Sequence, residues 1–478
     1  MRFTQVSRAD NGFGARSRQS ANPLRTISII AFVGLLFFGG LYVALSRTAS
    51  RVTHRNDRIV TTVPRVSVLS ARRAPNTLSV ITRTGKVSRA FANFAADFPT
   101  QSCVAVEWMG IRLGAVNSTK ALIPASSTKL IIASVALEIL KPEFVYTTRV
   151  HGTLDANGSV ADLFFVGGGD PLIVRNEYVA SEKYPTTSGT SLEKLADSLV
   201  AAGLKRVAGS VVGIDSRYDD KRFVDVWPQD FRFTEAGPLG ALFVDDGVVL
   251  GLATKPDDPA VSAATELQNL LSARGVLFGA LPRRDAMPTG TPEIASIQSA
   301  PLTSVIQEMM VNSDNNSAEL LLKEIGFASK GTGSTDAGLA AVKETLVKWK
   351  LDKDVQLFDG SGLASEGRVP CDVFMSLLDT FSSTMPNLMA VAGETGTLRE
   401  TFDGTAVAGV LRGKTGTLNG VKALVGYVPV SNSGPVSFAL LMNKTGIDNQ
   451  GSYRPIWYSL ADVLNRASAS PSMEQLTP

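Results

Sequence analysis

The stretch Pro124-Ala125-Ser126-Ser127-Thr128-Lys129-Leu130 leads into apolar residues at helical spacing that continue to Leu140. A helix begun there holds Ser126 at its N-terminus and Lys129 one turn later on the same face. The free backbone N–H groups of such an end favour negative charge, as a developing oxyanion carries. A hydroxyl beside an amine can act as nucleophile and base. The histidines support this choice. His54 lies in a basic, linker-like stretch and His151 in an alternating strand pattern over 146–154, and the chain has no others. Neither suits the base of a Ser-His-Asp triad, so Lys129 is the expected base for Ser126.

Two further motifs follow in order, Ser313-Asp314-Asn315 and Lys414-Thr415-Gly416-Thr417. Singly, each has a plain structural reading. Ser126 is a helix cap, Lys129 a surface residue, and the other two are caps or turns. Together and in one order they supply what acyl transfer needs. Ser126 is the candidate nucleophile. Lys129 would take its proton if burial and the second cation, Lys414, lower its pKa. Ser313 would relay a proton to the departing amine, and Asn315 would bind a substrate amide. Lys414 and Thr415, at the start of a strand, would hold a substrate carboxylate. Backbone N–H groups of Ser126 and Thr417 would form the oxyanion site. Glu394-Thr395-Gly396-Thr397 mimics the third motif but has Glu where a cation is needed, and reads as a turn.

The chain of 478 residues is too long for one core. Its 47 Lys and Arg against 44 Asp and Glu leave a net charge of +3, which gives no reason to expect a nucleic-acid partner. Two Cys and two His, far apart, argue against a metal site, and no cofactor is implied. Cys103 and Cys371 allow one internal disulfide, and the sequence leaves open whether they pair. No charge falls between Arg25 and Arg47, and residues 27–45 are rich in Ile, Leu, Val and Phe. A bilayer core needs about 20 such residues in a helix. Arg2, Arg8, Arg16, Arg18 and Arg25 precede the run, against one acid, Asp10. By the positive-inside rule, 1–25 is a cytoplasmic tail, 26–46 a single-pass membrane anchor, and the remainder is exported. The rival reading is a signal peptide cleaved near Ala44-Leu45-Ser46, giving a secreted protein.

Residues 47–80, rich in Arg, Ser and Thr, read as a linker. Helical spacing follows over 84–96, then strands at 101–108 and 111–116 joined through Met109-Gly110. From 146 to 299 the pattern changes. A hairpin turn at Asp155-Ala156-Asn157-Gly158, a helix over 192–202 and a strand over 207–214 describe a β-rich inserted accessory domain. Residues 306–325 are strongly helical, with Ser313-Asp314-Asn315 in the approach. Strands at 423–429 and 436–442 and a helix at 456–464 close the chain. The catalytic domain is therefore discontinuous, 81–145 and 300–466, with 467–478 as a tail. The fold class expected is α/β (α+β).

At these residues the chain resembles a family, the low-molecular-mass class C penicillin-binding proteins, D-alanyl-D-alanine carboxypeptidases/endopeptidases. The three motifs carry the resemblance. So do Val166-Gly167-Gly168-Gly169-Asp170-Pro171, Trp227-Pro228-Gln229-Asp230, Asp359-Gly360-Ser361-Gly362-Leu363 and Gly420-Val421. The resemblance implies a penicillin-binding/β-lactamase-like serine transferase domain with an accessory insertion between the first and second motifs. It implies a serine DD-peptidase acting on peptidoglycan stem peptides and inhibited covalently by β-lactams. It also implies that Trp227 and Asp230 contact the diamino-acid side chain of the stem peptide. Two rivals stand beside this. A serine β-lactamase-like hydrolase needs a deacylating carboxylate, and Glu344, in an amphipathic stretch without Glu-x-x-Leu-Asn, is a poor source. A catalytically inactive cell-wall scaffold sits badly with an intact set of motifs.

Overall fold

The computed structural model describes residues 23–51, 75–96, 98–431 and 433–468. Most of the expected cytoplasmic tail, the middle of the expected linker and the tail from 469 lie outside the described residues. The chain forms two compact units, Met1–Ser70 and Ala71–Pro478.

In the first unit, α1 (Pro23–Arg51) opens on a proline, whose fixed φ suits a first helical turn. Phe32, Leu35, Leu36, Phe37, Phe38 and Tyr42 on it are all exposed. Among the described residues no helix is long and apolar enough to cross a membrane.

The second unit starts with α2 (Pro75–Ala95), so the boundary expected at 80/81 falls inside a helix. Its Val87 and Phe91 are buried, and Val80 packs with them. Strand β1 (Ser102–Trp108) turns through Met109 and Gly110, both at positive φ, into β2 (Ile111–Val116). Next comes α3 (Thr128–Ile139). The region that follows builds its own sheet, from β3 (Thr147–His151), β4 (Leu163–Val166), β5 (Val211–Ile214), β6 (Arg283–Arg284) and β7 (Glu293–Gln298). The strand order is β6-β5-β4-β3-β7. Leu195 and Leu199 of α4 (Leu192–Ala201) and Ala263 and Leu267 of α5 (Pro259–Ser272) bury against it.

Four helices follow, α6 (Leu302–Asn312), α7 (Asn315–Lys330), α8 (Thr335–Trp349) and α9 (Cys371–Thr380). The helix expected over 306–325 is thus two helices. The break is at Ser313, which takes a left-handed φ of 62° and ends α6, while the Asp314 side chain accepts from the Ser317 N–H and caps α7. Strands β8 (Ala390–Val391), β9 (Arg412–Leu418), β10 (Val421–Val430) and β11 (Ser433–Asn443) return to the first sheet, and α10 (Gln450–Asn465) ends the unit. Ala467, placed in the expected tail, is fully buried beside it.

The antiparallel sheet runs β8-β9-β10-β11-β1-β2, so it joins strands from both sides of the insertion. Its faces follow strand alternation. Cys103, Ala105, Ala423, Val425, Ala439 and Leu441 face α3, α6 and α9. Val104, Val106, Leu424, Phe438 and Leu440 face α2 and α10. Each buried large apolar side chain contributes about 1.5–3 kcal/mol, so both layers hold the sheet in place.

Cys103 of β1 and Cys371, the first residue of α9, form a disulfide, which answers the pairing question. It closes a loop over a sequence separation of 268, spanning the whole insertion. Replacing both cysteines by alanine should lower the unfolding free energy by about 2–4 kcal/mol. Urea melts would read this as a lower midpoint, with a steeper slope as the freed unfolded chain exposes more surface. An unchanged midpoint would show that the bridge adds nothing to the packing around it.

Candidate active site

Ser126 stands in a single 3₁₀ turn, Ala125–Ser127, that runs directly into α3. The preceding residue, Ala125, holds a φ of +47°, a left-handed conformation that costs a non-glycine residue about 1–2 kcal/mol. Two glycines hold the turn there. A Cβ on Gly362 would lie 2.0 Å from the Ala125 carbonyl oxygen, and one on Gly416 would lie 2.8 Å from that of Pro124. The third motif therefore needs its glycine for close backbone approach, and Asp359-Gly360-Ser361-Gly362 needs its last one for the same reason.

Helix α3 is buried on every side from Thr128 to Leu137, and Lys129 is its one charged residue in that span. Its amine lies 3.0 Å from Ser126 Oγ, 2.7 Å from Asn315 Oδ1 and 2.8 Å from the Ser361 carbonyl oxygen. Three acceptors match the three donors of an ammonium. Burial lowers the Lys129 pKa to about 8, against the opposing pull of Asp359, Asp314, Glu319 and Glu235. The amine can therefore shed its proton near neutral pH without a large barrier.

The turn that carries the Ser361 carbonyl rests on two buried carboxylates. Asp359 accepts from the N–H groups of Gly362 and Ala364 and from the Trp227 indole N–H at 2.9 Å. Glu319 accepts from the N–H groups of Gly360 and Ser361 through Oε1, while Oε2 has no hydrogen-bond partner among the described residues. Burial and the neighbouring Asp359 push Glu319 up to about 7. Glu319 sits four residues after Asn315 on α7, so one helix face presents both to the Lys129 environment.

Ser313, at the α6–α7 break, accepts a 2.7 Å hydrogen bond from Lys414, whose amine also donates to the Thr415 carbonyl. Lys414 is fully buried. Burial, then Lys129 and then Lys422 drive its pKa well below the usual lysine range. The repulsion between the Lys129 and Lys414 amines is mutual, so burial and Lys414 both disfavour the charged form of Lys129. Thr415 donates to Thr397 Oγ1 at 2.9 Å. Among the described residues the outer edge of β9 beyond Gly413 has no strand partner, since β8 pairs only with Arg412 and Gly413. Thr417 is exposed on that strand.

The structure brings the site residues into two hydrogen-bonded sets, Ser126, Lys129 and Asn315 in one and Ser313, Lys414 and Thr415 in the other, with Lys129 and Lys414 close enough to repel. Trp227 and Asp230 part company. Trp227 is 3% exposed in a core with Val224, Leu320 and Leu363. With its N–H on Asp359 and its ring packed, it props the turn under Lys129. Asp230 lies exposed in the short turn Gln229–Phe231. Sequence reasoning missed the Ser361 carbonyl, Glu319, Thr397 and the Glu235 carbonyl that accepts from Asn315. Glu344, the weak candidate for deacylation, is exposed on α8 and pairs with Lys330.

Residues 110–256 and 250–456 match the model of the D-Ala-D-Ala carboxypeptidase 3 (S13) family. A D-alanyl-D-alanine carboxypeptidase of Actinomadura sp. (strain R39) is 29% identical over 414 residues, covering 67% of this chain and 73% of that one. Carboxypeptidase DacB of Mycolicibacterium smegmatis is 29% identical over 340 residues, covering 68% and 72%. Among solved structures, penicillin binding protein 4 (dacB) from Haemophilus influenzae is similar in fold, with a TM-score of 0.65 at 18% identity over 78% of this chain and 98% of that one. A family model that spans both halves of the catalytic sheet and the insertion between them leaves one assignment: the chain belongs to the S13 family of D-Ala-D-Ala carboxypeptidases.

Proposed function

We propose that the protein is a serine DD-peptidase that cleaves D-Ala-D-Ala bonds in peptidoglycan stem peptides through an ester on Ser126. The observation that carries this is the Lys129 amine, fully buried and 3.0 Å from Ser126 Oγ, with Lys414 held on Ser313 beside it. Neutral Lys129 takes the hydroxyl proton as Ser126 Oγ attacks the carbonyl carbon of the penultimate D-alanine. The resulting oxyanion is met by the backbone N–H groups of Ser126 and Thr417. As the C–N bond breaks, Ser313 passes a proton to the leaving amine and is resupplied through the lysines. Asn315 orients the substrate amide, and Ser313, Lys414, Thr415 and Thr417 hold the terminal carboxylate. Water then hydrolyses the ester by the same groups in reverse. A β-lactam acylates the same serine.

Labelling with a fluorescent penicillin tests this. Ser126→Ala should abolish labelling while the protein stays folded, and label mapped to Ser127 by peptide mass would overturn the assignment. The rate should report Lys129 directly. Only the neutral amine is a base, so below about pH 8 labelling should slow about tenfold per unit of pH and above it level off. Lys129→Arg keeps the charge but cannot release its proton at these pH values. It should label at least about a hundredfold more slowly, the low end for loss of a general base.

Asp230 is proposed to favour stem peptides that carry a free amine, because its exposed carboxylate can pair with an ammonium. Exposure and salt limit the gain to roughly 1–2 kcal/mol. Asp230→Asn should lower kcat/KM for an amine-bearing peptide by about ten- to thirtyfold and leave penicillin labelling nearly unchanged. Equal losses on both would move Asp230 to a structural role.

The peptidoglycan substrate puts the catalytic unit outside the cytoplasmic membrane. We propose that residues 26–46 hold it there as a single-pass anchor. Support comes from the uncharged apolar run and the five arginines before it. Fractionation with N-terminal sequencing should find the protein in the membrane with an intact N-terminus. A soluble form starting near Arg47 would favour the cleaved signal instead.

A further inference from the structure

Lys422 stands on β10 directly opposite Thr417 of the third motif. Opposed residues of an antiparallel pair share a face, and the Lys422 amine reaches Thr417 Oγ1 at 2.8 Å. The same amine lies 4.0 Å from the centroid of the Tyr453 ring and 5.2 Å from that of Trp457, both on α10. It is only 9% exposed. Burial lowers its pKa to about 8, with Asp448 favouring the charge and Arg454 opposing it, which leaves the ammonium the main form at neutral pH, and its geometry is that of a donor to Thr417.

An ammonium only donates. The hydroxyl oxygen of Thr417 must therefore accept from Lys422, and the hydroxyl proton of Thr417 is turned away from it. Thr417 is exposed, on the part of β9 that lacks an outer strand partner among the described residues. A hydroxyl held in this sense offers a donor to an incoming anion, with a fixed positive charge one residue behind it. Aromatic faces on the remaining side keep water from competing for the amine and hold it in place.

We propose that Lys422 is a positioning residue for the terminal carboxylate of the substrate, acting through the hydroxyl of Thr417. A freely rotating threonine would spend part of its time with an oxygen lone pair toward the carboxylate. Lys422 removes that orientation and raises the local positive potential. It thereby biases the enzyme toward peptides that end in a free carboxylate. This rests on the reading of Thr417 as a carboxylate contact.

The test uses the full chain with two matched substrates, an acyl-D-Ala-D-Ala peptide and the same peptide as its C-terminal amide. The wild type should favour the free acid, and in Lys422→Met that ratio of kcat/KM should fall about tenfold, mainly through KM for the acid. Lys422→Arg, which keeps a charged donor, should retain the ratio within about threefold. In a Thr417→Val background, Lys422→Met should cause no further fall. A wild type without preference would defeat the carboxylate reading itself, and this inference with it. A clear wild-type preference that survives in Lys422→Met, or equal loss on both substrates, would overturn the role of Lys422 while leaving that reading standing. Should Lys422→Met fail to fold, the Arg variant decides. Loss of the preference there, with a normal melt, overturns the proposal.

Discussion

One buried lysine sets the terms for the rest of the catalytic unit. From Thr128 to Leu137, helix α3 is enclosed on all sides and is apolar apart from two hydroxyls and the amine of Lys129 in its first turn. Placing an unpaired ammonium there would cost several kcal/mol. Every polar feature around it can be read as an answer to that cost. Ser126, Asn315 and the Ser361 carbonyl take its three donors. The first is the nucleophile, the second opens α7, and the third belongs to a turn that exists only because Gly362 fits against Ala125. The same contacts that make the lysine tolerable also aim it at the hydroxyl.

Three amines lie close together here, and all three are pushed down from the usual lysine value by burial. They differ in what opposes or adds to it. Lys129 has four carboxylates in range that pull its pKa back up, which leaves it poised near 8. Lys414 meets the repulsion of Lys129 and Lys422 on top of burial, and falls well below. Glu319 matters to this balance. Fully ionised, it would hold the Lys129 ammonium. With its own pKa raised to about 7 and one oxygen without a hydrogen-bond partner among the described residues, it carries less than a full charge near neutral pH. Two of the carboxylates around the base, Glu319 and Asp314, are themselves made reluctant to ionise by burial.

Much of this could be read from the chain, because the motif spacing and the strand periodicity are local properties. Ser126 and Lys129 needed only the helical period. The turn at Met109-Gly110 and several of the strands followed from alternation and turn residues. What escaped was whatever depends on a carbonyl or on a register. The Ser361 carbonyl and the Glu235 carbonyl have no side-chain signature. The break at Ser313 was hidden because apolar spacing continues on both sides of it, and only the αL backbone at a serine divides α6 from α7. Two signals were present and unread. Glu319 is an acid one helical turn past Asn315. Asn419-Gly420 is a two-residue turn, and counting outward from it pairs Thr417 with Lys422.

The insertion reads from the sequence as an accessory, and its sheet is indeed separate. Its ties to the catalytic centre are nonetheless polar and specific. Trp227 donates to Asp359, the carboxylate that folds the turn under Lys129. Asn315, having given its oxygen to Lys129, places its amide N–H on the Glu235 carbonyl. Asn316 accepts from the Gly237 N–H and donates to Asp246. Lower on the same helix, buried Glu324 receives Arg217 and Tyr218. Removing one side of such a pair strands a buried polar group, at about 1–3 kcal/mol each. Helix α7 therefore faces two ways, with the general base on one side and the insertion on the other. Its first turn can hold Asn315 at Lys129 only while the insertion satisfies what the catalytic domain leaves open.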